Sequence, residues 1–85
     1  MGFFTYVRYI VRMREPSPSA DRHRKAAITH DEAAQRHIEA AERWLLWGEA
    51  ERAELERRNA EIERMAAQLE RDRADLLDRQ TEPAD

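Results

Sequence analysis

Large apolar residues in the second half of the chain fall on a seven-residue repeat, at Leu55, Ile62, Leu69 and Leu76. Carried backwards, the same position takes Gly48, Ala41 and Ala34, and its companion position takes Ile38, Leu45, Arg52, Asn59, Ala66 and Arg73. A strict seven-residue period implies α-helix with a left-handed supercoil. The pattern predicts an all-α chain built on one long helix with coiled-coil heptads, running from about Thr29 to about Arg79. Between Asp31 and Arg79 there is no proline, and Gly48 is the only glycine. Glu-to-Arg pairs four residues apart, such as Glu39–Arg43 and Glu54–Arg58, add about 0.2–0.5 kcal/mol each to a helix.

Polar signals divide the rest of the chain. Residues 1–14 are aromatic, β-branched and basic, and their period fits a helix and a strand equally well. Residues 15–19 hold two prolines and two serines and read as a linker. Ser17 before Pro18 suits a helix N-cap with proline at the first helical position, so a short basic helix is expected over 20–30. Thr29-His-Asp-Glu32 matches a capping box, where a helix either starts or continues through, and the long helix is placed at 31–80. Residues 81–85 are expected to fray.

The long helix calls for a partner because its apolar stripe is narrow and sits on a polar rod. The expected seam is Ile38, Leu45, Leu55, Asn59, Ile62, Leu69 and Leu76, with Asn59 able to fix register through a facing amide. A homodimer is the favoured arrangement. A hairpin broken near Gly48 and a single helix lying on another protein are the alternatives. Pairing direction stays open: in a parallel dimer Arg58 would attract Glu63, but Glu51 would repel Glu56. Trp44-Leu45-Leu46-Trp47 spreads apolar groups around the whole helix, more than a two-stranded seam hides. Trp44, Leu46 and Trp47 therefore form a candidate hot spot, covered by the N-terminal segment, a larger oligomer or a protein partner.

Composition narrows the function classes. Charged residues make up 39% of the chain and there is no cysteine, which removes disulfides and thiolate metal sites. The net charge of −3 divides into +4 over residues 1–30 and −7 over 31–85. His23, His30 and His37 recur at seven-residue spacing without the i, i+4 pairing of a metal site, and read as solvated surface. Carboxylates are abundant but have no pocket to tune them, so no catalysis, metal or cofactor is expected. No segment approaches the roughly 20 apolar residues that span a bilayer, and the N-terminus lacks a secretory cleavage pattern, which places the chain in the cytoplasm. A second class of function would use Phe3, Phe4, Val7, Ile10 and Val11, with Arg8 and Arg12, as a membrane-surface anchor or packing segment. Nucleic acid is not an expected partner.

The Ala/Arg/Glu-rich run Arg58-Asn-Ala-Glu-Ile-Glu-Arg-Met-Ala-Ala-Gln-Leu-Glu-Arg71, within a helix covering over half the chain, resembles the short helical proteins of actinobacterial bacteriophages. The resemblance is compositional and assigns no site residues. It implies a small virion component or a factor that binds a host protein.

Overall fold

The computed structural model describes residues 17–81, and the N-terminal segment singled out above, with Phe3–Arg12, lies outside them. Two α-helices account for these residues, α1 (Pro18–Leu46) and α2 (Ala50–Thr81), packed side by side as an antiparallel hairpin. The described residues are all-α, as the periodicity predicts. The expectation of an unbroken helix over 31–80 is corrected, because the helical run divides at Trp47–Glu49.

Ser17 starts α1. Its backbone is extended, its hydroxyl accepts from the Ala20 N–H, and Pro18 occupies the first turn without wasting a donor. The helix then runs through Thr29–Asp31 without interruption, so the short helix at 20–30 and the helix beginning at 31 are one element. Thr29 caps nothing: its hydroxyl donates back to the Lys25 carbonyl at 3.2 Å. A Schellman motif ends α1. The Glu49 N–H reaches the Trp44 carbonyl at 2.8 Å and the Gly48 N–H reaches Leu45 at 3.0 Å. Gly48 has φ +76°, a conformation that a side chain disfavours. The Glu49 carbonyl then accepts from Ala53, which opens α2 in the reverse direction.

Alanine forms the seam. Among the described residues, the buried apolar ones are Ala20, Ala27, Ala34 and Ala41 on α1, and Ala53, Ala60, Ala67 and Ala74 on α2. Each set repeats every seven residues, so each helix presents one straight stripe of methyl groups, and small side chains let the two backbones approach closely. The driving force of such a core is modest. An alanine buries a single methyl, about 0.8 kcal/mol per carbon, against about 1.5–3 kcal/mol for a leucine.

Candidate interaction surfaces

Two rows of polar contacts flank the alanine seam, one on each side. On the first, His23, His30 and His37 of α1 meet Glu70, Glu63 and Glu56 of α2. The His30–Glu63 and His37–Glu56 contacts are 2.6 Å between Nδ1 and Oε2. An ionised carboxylate only accepts, so Nδ1 carries the proton in each rung. Every step of seven up α1 is answered by a step of seven down α2, which fixes the hairpin register three times. On the second side Arg24 pairs with Asp78 and Arg71 with Asp31, the latter at 2.9 Å. Asp78 also accepts from the Ser17 N–H at 3.4 Å, tying the start of α1 to the end of α2. The three histidines read from sequence as solvated surface are thus half-buried structural rungs.

Glu70 is the most enclosed of the three glutamates, because it also accepts from Arg73 at 2.7 Å. The hydrogen bond from His23 holds its carboxyl below the ordinary value of 4.5; burial opposes this, and Arg73 adds to it. A carboxyl whose folded pKa is depressed contributes stability above its unfolded value and loses it as pH falls through the folded one. Melting followed by circular dichroism between pH 7 and pH 3 should therefore show Glu70→Gln less stable than the native chain near neutrality. The gap should close below pH 4.5. A gap that does not change with pH would contradict this role.

The residues expected to share one oligomer seam are separated by the turn, which corrects the expectation of a single continuous seam. Ile38 lies beside the intramolecular seam, half-buried, and Leu45 is exposed near the turn. Together with Ala41 and Ala60, Ile38 floors a shallow groove whose sides are Arg57, Arg64, Glu42 and Glu61. Two cations and two anions cancel there, so the groove offers no net field to a charged ligand. Leu55, Ile62, Leu69 and Leu76 occupy the opposite situation. They sit two residues beyond each buried alanine of α2, on the helix face turned away from α1, and all four are exposed. Asn59 is exposed as well and is not buried against a facing amide within the chain.

Trp44, Leu46 and Trp47 come together at the closed end of the hairpin. Trp44 is half-buried, with the Trp47 ring edge-on at 5.4 Å between centroids and the Arg52 guanidinium 4.7 Å over its own ring. Cation–π and edge-to-face contacts both favour these arrangements. Leu46 is 84% exposed and Trp47 67% exposed. Nothing in the described residues covers them.

Among the described residues no three metal-ligating side chains converge, and no helix is long and apolar enough to cross a membrane. Comparison with protein-family models, curated proteins and solved structures finds no match for this chain.

Proposed function

We propose that this chain is a non-enzymatic helical interaction protein, which self-associates through Leu55, Ile62, Leu69 and Leu76 and docks a protein partner at Trp44, Leu46 and Trp47. One observation carries the reading: small side chains are inside and large apolar ones are outside. The hairpin buries only alanines, while Ile62 and Met65 are 62% and 67% exposed and Trp47 stands open at the tip. Exposed apolar residues scattered singly need no explanation, but a row along one helix face and a cluster at one end mark contact sites. Tryptophan at such a site contributes disproportionately to binding. Either setting implied by the compositional resemblance, a virion component or a factor binding a host protein, would use surfaces of this kind.

Co-purification from the native host, comparing the native chain with Trp47→Ala and Ile62→Asp, tests the tip. A protein retained by the native chain and by Ile62→Asp, but lost from Trp47→Ala, supports docking at the tip. The same set of proteins recovered with all three chains would contradict it.

A further inference from the structure

We propose that the outer stripe of α2 is covered by the same stripe of a second copy lying antiparallel to it, in one particular register. The inference rests on the self-association just proposed and adds its direction and alignment. Two features of the molecule point to it, the charges beside the stripe and the glutamates already engaged within the hairpin.

One flank of the stripe carries Glu51, Arg58, Met65, Asp72 and Arg79, again one residue every seven. All five are exposed. The series is antisymmetric about its centre: acid, base, Met65, acid, base. Turned end over end, it complements itself. In an antiparallel pair centred on Met65, Glu51 of one copy faces Arg79 of the other and Arg58 faces Asp72. Met65 then faces its own counterpart. Each charge contact occurs twice by symmetry. Sliding one copy by a heptad towards either end loses the match, because Arg58 then meets Arg79 or Glu51 meets Asp72. The offset needed is the one the chain already uses within itself. His23, His30 and His37 lie three residues after the buried alanines of α1, and Glu70, Glu63 and Glu56 lie three residues after those of α2. Arg58, Met65, Asp72 and Arg79 likewise fall three residues after Leu55, Ile62, Leu69 and Leu76. The hairpin therefore serves as a template for packing the outer face.

A parallel pair is disfavoured by the same contacts. Its attractive partner for Arg58 would be Glu63 of the second copy, but Glu63 is already bound to His30 on the flank facing α1. Glu56, which would oppose Glu51, is similarly bound to His37. By contrast, Arg58 reaches only its own Glu54, at 3.8 Å, and Asp72 accepts from Gln68 on the solvent side. Both are available to a second copy at the cost of an exposed neighbour.

Charge reversal distinguishes the arrangements. Arg58→Glu and Asp72→Arg change exposed residues, and sedimentation equilibrium reads the association of each. Every reversal turns two attractions in the antiparallel dimer into repulsions, so each variant alone should associate about tenfold more weakly or worse. Mixing the two variants restores both pairs, because the introduced Glu faces the introduced Arg once and the native Asp72 faces the native Arg58 once, and the mixture should associate like the native chain. The double variant should do the same. If Asp72→Arg is neutral and the double variant stays as weak as Arg58→Glu, the pairing is parallel and the inference fails. If neither reversal matters, the copies meet through another face, and the inference also fails while self-association stands. A native chain that sediments as a monomer would instead overturn the self-association on which both rest.

Discussion

Ala60→Asp should unfold the hairpin at room temperature. Ala60 is 2% exposed on the seam, between the two rungs made by Glu56 and Glu63. A carboxylate there would be desolvated among the seam methyls, and the charges flanking it on its own helix, Glu56 and Glu63 on one side and Arg57 and Arg64 on the other, cancel and leave it without net compensation. An uncompensated buried charge costs about 3–5 kcal/mol. That is a large share of the total stability of about 5–15 kcal/mol typical of a domain, and this core supplies less than most. Asn59→Asp is the matched control, one residue earlier and exposed, where a new charge should change stability by no more than about 0.5 kcal/mol. Circular dichroism at 222 nm during heating decides between them, on the order of ordinary helix melting. Ala60→Asp melting at the same temperature as Asn59→Asp would mean that the alanine stripe is not the core.

The double variant Ile62→Asp/Leu69→Asp should leave the alanine seam intact and abolish self-association. Both residues lie at the middle of the outer stripe, 62% and 50% exposed in the single chain. Burying a side chain of this kind contributes about 1.5–3 kcal/mol, and a dimer contains four of them. Association should weaken by about a thousandfold or more. A second readout accompanies the first. Anything that binds only the folded chain makes the melting temperature depend on concentration. The native chain should therefore melt higher as it is concentrated, and the double variant should not. Association of the double variant at native strength would exclude the stripe as the contact surface.

Much of this architecture was legible from the chain itself, and the unread part has a physical cause. The all-helical class followed from the long proline-free run, and the start of α1 followed from Ser17 and Pro18. The turn was signalled weakly by Gly48. Its full signal lay in the alanines, whose seven-residue step holds from Ala20 to Ala41 and from Ala53 to Ala74 but breaks between Ala41 and Ala53. A change of phase at that point means that the buried face of the second helix is not a continuation of the first. Alanine is favoured at any helical position, so its repeat is easily taken as composition, whereas Leu55, Ile62, Leu69 and Leu76 draw attention as a core. In this chain the large residues mark the outside and the small ones mark the inside.

The histidines illustrate a related point. His23, His30 and His37 look unpaired because their partners are far away in sequence. Glu70, Glu63 and Glu56 carry the same seven-residue spacing in the opposite order, and that correspondence is what an antiparallel hairpin produces. The tip was legible as an exposed apolar cluster before its geometry was known, since four consecutive apolar residues on a polar rod cannot all be hidden by one neighbour. Its role as the last turn of α1, with Trp44 held by Trp47 and Arg52, required the Schellman turn to be seen.

The most direct test of the account is the mass of the native chain in solution, measured by analytical ultracentrifugation at concentrations up to roughly tens of micromolar. A hairpin that keeps alanines inside and its leucine row outside for a second copy should sediment at twice the chain mass of 10.1 kDa as concentration rises. A species that stays at 10.1 kDa throughout would contradict it.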